Sequence, residues 1–304
     1  TTGTYNIRVI LATPTAPTVA ASTTSLKRLD VSWSSVPNAS SYLVKLYDST
    51  GTGSALATVS VTSGTSRTLA TSDYALFADL TAYTVSVQAI GLSSFIDSAE
   101  SLKTLAMTRG LPQSIAVVSA DGDTTGSWIG GTWYTASTGT SRVTSTVLQN
   151  QMSSANATLQ TAGSITVSNA VASTNSSSSL SLTSTGSTVT VNAAISGLSG
   201  LTATCNSGSF TNNSSGSITA ASAVSIQCGS VFMSGAITSG ANVTLESTNT
   251  LSSAVTRVGG SVSSTASNAL ITIKAANTVQ LRSVTIQTPG AVSYTHLRAH
   301  ETKA

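Results

Sequence analysis

Apolar and polar residues alternate along most of this chain in short bursts, punctuated so often by Gly, Ser, Asn and Thr that few helices can fit between the breaks. An apolar residue at every second position turns one face of an extended chain into a core, so the pattern predicts an all-β protein. Leu29-Asp30-Val31-Ser32-Trp33 sets Leu29, Val31 and Trp33 on one buried face, and Val36 to Ser40 then turns the chain. Tyr42, Val44 and Leu46 repeat the alternation, Ser49 to Ser54 forms a Gly-rich turn, and Leu56, Val59 and Val61 supply a further strand. The clearest strand is Tyr83-Thr84-Val85-Ser86-Val87-Gln88-Ala89, with Leu80 three residues before its tyrosine.

Beyond Gly110 the rhythm changes. Short alternating runs recur at Ser164–Val167, Ser187–Val191, Ser217–Ala220, Asn242–Leu245 and Leu270–Ile273, with an irregular offset of about 24 to 29 residues. Weaker runs lie between them at Leu180–Leu182, Leu201–Ala203, Val224–Ile226 and Val279–Leu281. Two or three strands per repeat predict the coils of a β-solenoid, whose inward Ile, Val and Leu form a continuous core while outward Ser and Thr stack in ladders about 4.8 Å apart. A second Ser/Thr-rich sandwich array would give a similar pattern. The two are separated by whether Ile165, Val189, Ile218, Val243 and Ile271 share one interior. Val143 to Ser153 is the one helix expected, with Val147, Leu148 and Met152 on a common face. Trp128, Trp133 and Tyr134 read either as a cap or first-coil core, or as an exposed sugar-stacking surface.

Two resemblances follow from these residues. Trp33 matches the core tryptophan of the second strand of a fibronectin type III domain, Leu80-x-x-Tyr83 resembles its tyrosine corner, and Asn38-Ala39-Ser40-Ser41-Tyr42 looks like its turn into the third strand. The resemblance covers residues 14–108 and implies a spacer or adhesive sandwich without catalysis; no Arg-Gly-Asp motif is present. Residues 109–291 resemble the parallel β-helix of filamentous-haemagglutinin-like and autotransporter-type adhesins, mostly through Thr144–Gln151 and Ala157–Val167, which implies a cell-surface or adhesive role. Residues 1–13, where Tyr5-Asn6-Ile7-Arg8-Val9 echoes the spacing of Tyr83 to Val87, are expected to be the terminal strand of a preceding domain or a linker. Val292 to Thr302 resembles one reading frame of a transposon-type sequencing-library adapter, so residues 292–304 are expected to be a non-native tail. On that reading the natural protein continues beyond Ala291.

Composition narrows the function. Of the 304 residues only 8% are charged, the formal net charge is +3, and roughly a third are Ser or Thr. The 13 Lys and Arg are scattered, which excludes the basic stripe a nucleic-acid binder needs. No apolar run reaches the roughly 18 to 20 residues of a membrane helix, so no membrane insertion is expected within this segment. Both histidines, His296 and His300, fall in the tail, which leaves no Ser-His-Asp or Cys-His arrangement before it. Between the sandwich and the tail the acids are Asp121, Asp123 and Glu246, and Glu246 is far along the chain from the other two. Asp121 and Asp123 suit turn capping or, less readily, calcium. Catalysis, a cofactor and a resident metal are therefore not expected.

Cys205 and Cys228 each end a short run at an offset close to one coil, so they are candidates for a disulfide between stacked coils, or else two small buried apolar residues in a ladder. A disulfide would place the chain in an oxidising compartment, extracellular or at the cell surface. The expected function is a non-catalytic adhesin or structural scaffold that displays contacts for a surface protein or polysaccharide. The alternative is a spacer of a secreted carbohydrate-active enzyme whose catalytic domain lies elsewhere. Ice binding by Thr188-x-Thr190 and Thr202-x-Thr204 is a third idea, weakened by Ile218-Thr219-Ala220, which interrupts the apparent ladder.

Overall fold

The computed structural model describes residues 8–249, 254–282 and 284–296. The chain divides into two units, Thr1–Gly110 and Leu111–Ala304.

The first unit is a sandwich of two antiparallel sheets. Three strands run in the order Thr18–Ala21, Leu29–Ser32, Ser66–Leu69, and four in the order Ala57–Val61, Ala39–Tyr47, Ala82–Gly91, Thr104–Met107. This three-on-four pairing is that of a fibronectin type III sandwich. Leu29 and Val31 point inward and Asp30 and Ser32 outward, as their alternation requires. Trp33 is buried edge-on against Tyr42, 5.4 Å between ring centroids, and the Tyr42 hydroxyl accepts the Val36 N–H at 2.7 Å to pin the turn. The Tyr83 hydroxyl accepts the Ala78 N–H at 3.1 Å and donates to the Leu76 carbonyl at 3.4 Å, so the tyrosine corner is formed. Leu56, read as part of one strand with Val59 and Val61, lies just before strand Ala57–Val61 and is exposed, its odd spacing from both sending it to the opposite side.

The opening residues also differ from expectation. Val9–Ile10 pairs in parallel with Phe95–Ile96, and Leu11 is buried in the sandwich core. Residues 9–11 therefore belong to this unit and not to a preceding one, since the core offers Leu11 an apolar slot. Tyr5 and Ile7 lie outside the described residues.

The second unit is a parallel β-solenoid with three strands per coil. From Ala157 the chain lays Ala157–Thr161 on a first face, Ile165–Val167 on a second and Val171–Ala172 on a third; Leu180–Ser184 then lands in register on Ala157–Thr161. The first face continues through the front halves of Leu201–Asn212 and Val224–Met233, then Val243–Ser247, Leu270–Ala275 and Ala291–His296. The second runs from Ser114–Val118 through Val189–Val191 and the rear halves of the two long strands to Val255–Val258 and Thr278–Leu281. The third is a six-stranded sheet ending at Ile286–Gln287. One coil is 19 residues from Gln227 to its register partner Glu246, 23 from Cys205 to Cys228 and 25 from Thr238 to Ser263.

Ile165, Val189, Ile218, Val243 and Ile271 are fully buried in one core cluster. They come from all three faces, however: Ile165 and Val189 from the second, Ile218 from the third, Val243 and Ile271 from the first. The irregular spacing seen in sequence has two sources: the strongest run moves between faces along the chain, and coil length itself varies, from 24 residues between Ile165 and Val189 to 28 between Val243 and Ile271.

All three faces are closed at the N-terminal end of the solenoid. The hairpin Ser127–Ile129 and Thr132–Tyr134 pairs onto Ala157–Thr161, its two-residue loop being Gly130-Gly131 with φ of 58° and 82°, the left-handed pair that such a turn demands. Strand Thr140–Thr144 adds to the outer side of Ser114–Val118. The helix Ser145–Ser154 packs beside Val171–Ala172, with Thr144 as its N-cap accepting the Val147 N–H at 3.2 Å. Leu148 and Met152 are buried together with Ser145, whereas Val147, expected to share their face, is exposed. Residues three, four and seven apart align on a helix, and Val147 is out of that phase.

Ala291–His296 forms a strand on Leu270–Ala275, so the start of the segment read as foreign occupies a rung. Parallel pairing uses backbone groups that every sequence carries. Residues 297–304 lie outside the described residues.

Candidate functional site

The cysteines lie on the first face, one coil apart and in register, both pointing inward and fully buried, with Cα atoms 4.3 Å apart. They form a disulfide. Of the two readings of this pair, the structure takes the bond.

The cap gathers the more elaborate constellation. Asp123 sits partly buried between the Trp hairpin and strand Thr140–Thr144, and its carboxylate accepts hydrogen bonds from the hydroxyls of Thr125 (2.7 Å), Ser141 (2.9 Å), Ser137 (3.2 Å) and Thr135, and from the Thr125 N–H at 2.9 Å. Burial alone would raise this carboxyl; the donors from Thr135, Thr125 and Ser141 outweigh it and hold it at about 2. Ser141 in turn receives the indole N–H of Trp133 at 2.9 Å, so hydroxyl, carboxylate and indole form one chain. Asp121 does something different. It lies exposed at φ 54°, 4.0 Å from the Arg142 guanidinium, a surface pair of little energetic weight. Asp123 thus caps the turn at Thr125 and anchors the hairpin, and among the described residues no group of three His, Cys, Asp or Glu gathers in metal-binding geometry.

Trp133 is buried and Trp128 half-buried, edge-to-face at 5.1 Å, and Trp128 packs against the solenoid core. Their rings are used in closing the coil end, the cap alternative of the sequence reading. A Cβ on Gly126 would fall 1.8 Å from the Trp133 ring, so that glycine is the space the indole occupies.

Glu246 stands on the outer side of the first face and accepts a hydrogen bond from the Gln227 amide at 3.0 Å. Five first-face steps of about 4.8 Å put it about 24 Å along the axis from the hairpin that Asp123 anchors. A two-carboxylate hydrolytic pair needs about 5 to 10 Å.

The outward columns answer the ice-binding idea differently from the sequence. Thr188-x-Thr190 is on the second face, Thr202-x-Thr204 on the first and Ile218-Thr219-Ala220 on the third, so the three runs were never one ladder. The true column beside Thr202 reads Thr158, Ser181, Thr202, Ser225, Thr244; its neighbour reads Gln160, Thr183, Thr204, Gln227, Glu246. Long amide and carboxylate side chains stand in the second column and break a flat hydroxyl array.

Sequence reading missed two further networks. In the sandwich, Glu100 accepts from Tyr47, Ser86 and Lys45 (3.2 Å), and the Lys103 ammonium lies 3.5 Å over the Tyr47 ring. Burial raises the Glu100 carboxyl, but the Ser86, Tyr47 and Lys45 donors leave it lowered overall. On the solenoid's second face Arg257 covers the Phe232 ring at 5.6 Å and donates to Gln280 at 3.0 Å. Phe232 and Arg257 are register partners one coil apart, a signal visible only once the faces are assigned.

The sequence matches no protein-family model and no curated protein. Among solved structures it is similar to an Fn3-like protein from Clostridium thermocellum, with 25% identity over 33% of this chain and 96% of that one, and a TM-score of 0.26. By its own strand pairing the chain is an all-β protein in which a fibronectin type III-like sandwich is followed by a parallel β-solenoid.

Proposed function

We propose that this chain is a non-catalytic scaffold segment of a secreted or cell-surface adhesin, whose sandwich and solenoid hold weak contacts for a surface protein or polysaccharide in repeated array. The observation that supports this most is the column structure of the solenoid. Inward positions are spent on one continuous apolar core, and outward positions repeat Ser, Thr, Asn and Gln rung after rung with no charged residue from Val143 to Leu245. Such a surface offers many shallow polar contacts that gain strength only when multiplied. The fully buried disulfide fits an oxidising compartment. No described helix is long and apolar enough to cross a membrane. The same reading takes residues 292–304 as foreign to the natural protein.

Beads carrying the full chain at graded density, flowed over polysaccharide- and matrix-protein-coated surfaces, test this. Retention should rise much more steeply than density. Absence of retention at every density, or turnover of the polysaccharide by the chain, would contradict the reading.

A further inference from the structure

The outward column of the solenoid's second face changes character along its length. Thr166, Thr190 and Thr211 follow one another in register, one per coil, and the next three rungs carry Phe232, Arg257 and Gln280. Backbones in such a column are about 4.8 Å apart, so each side chain has the rung before and the rung after as its neighbours. Arg257 is held from both sides. Its guanidinium covers the Phe232 ring, 5.6 Å from the centroid, and its Nε–H donates to the Gln280 amide oxygen at 3.0 Å. A further coil would stack on Gln280 and leave Arg257 as it is, so the arrangement is complete within three rungs.

This cation has no counter-charge. The ion pairs among the described residues are Lys45–Glu100, Arg67–Asp73 and Arg142–Asp121, and Glu246 is on the first face, engaged with Gln227. Arg257 is only half-buried, and among the described residues its one hydrogen bond is that from Nε, which leaves the donors on Nη1 and Nη2 unused. A guanidinium already fixed on one face and at Nε loses little freedom on binding, and its fork matches a carboxylate through two parallel hydrogen bonds. We propose that Arg257, seated between Phe232 and Gln280, binds the carboxylate of an acidic sugar, a uronate unit of a polysaccharide laid along the second face. A sugar rather than an acidic peptide fits the rest of the column: the hydroxyls of Thr166, Thr190 and Thr211, one per rung, can donate to and accept from sugar hydroxyls, and Phe232 adds apolar surface for a sugar's C–H face. The inference deepens the scaffold reading and rests on it, since the stacked coils supply many weak contacts and Arg257 selects which polymer is preferred.

The test compares binding of the full chain to surfaces coated with polygalacturonate, with the same polymer after its carboxylates are reduced to hydroxymethyl groups, and with polyglutamate. The parent should prefer polygalacturonate to the reduced polymer by at least about tenfold, as expected for one charge-assisted pair. Arg257→Gln should erase that preference and leave binding to the reduced polymer unchanged. Arg257→Lys, which keeps the charge and loses the fork, should restore only a small part of it. Arg28→Gln, the same loss of charge at an exposed arginine of the sandwich, should restore nothing to explain by leaving the parent's preference intact. Equal binding of the parent to the two polysaccharides overturns this proposal and spares the scaffold reading, whereas no binding to either overturns both. Full preference in Arg257→Gln or Arg257→Lys, a loss as large in Arg28→Gln, or polyglutamate bound as tightly as polygalacturonate would each overturn the assignment of an acidic-sugar site to Arg257.

Discussion

Asp123 shows how one carboxylate can organise a coil end made almost wholly of neutral residues. Held at about 2 against an ordinary 3.8, it contributes stability that is fully present above pH about 4 and is lost as pH falls through about 2. The melting temperature of Asp123→Asn should therefore lie below that of the parent at neutral pH, with the gap closing between pH about 4 and about 2; a gap constant across that range would contradict the assignment. The disulfide acts differently, by constraining the unfolded chain. Replacing Cys205 and Cys228 together by Ala should lower unfolding stability by about 2–4 kcal/mol in denaturant titrations, and reduction of the parent should do the same. The cysteine pair was legible in the sequence because two rare residues at a coil's separation are conspicuous. Asp123 was not: its donors are Ser and Thr, which are everywhere in this chain, and only the fold shows which four converge.

At the scale of elements, alternation identified strands well but could not say which face each belonged to. Ser217–Ala220 and Asn242–Leu245 looked like successive repeats and are on different faces, because an inward Ile or Val reads the same from any of three directions. The corners carry part of the missing information. Gly197 lies at φ 73° within the bulged strand Ile195–Leu198, and a Cβ there would fall 2.0 Å from the Ser173 carbonyl of the coil before. Gly197→Ala should cost more than about 1 kcal/mol in chemical denaturation, whereas a cost near zero would mean that the third face is not stacked as described. The cap helix was foreseen in extent but not in phase. Leu148→Ala, at a fully buried position, should cost about 2–5 kcal/mol, and Val147→Ala should stay within about 0.5 kcal/mol.

For the molecule as a whole, the sandwich was legible residue by residue, since Trp33, Tyr42 and Tyr83, the residues that carry its resemblance to a fibronectin type III domain, do lie in its core and its corner. The solenoid was legible as an architecture but not as a register, since coils of 19 to 28 residues share no fixed repeat. The functional reading depends on that register, for an array of repeated shallow contacts exists only if successive coils stack face on face. Spin labels at Thr183 and Thr204, register partners on the first face, and at Thr183 and Gln227, two rungs apart, measure this directly by electron paramagnetic resonance. Stacked coils predict strong dipolar broadening for the first pair, with backbones about 5 Å apart, and weaker coupling at about 10 Å for the second. Equal or absent coupling in the two pairs would contradict the solenoid and, with it, the scaffold.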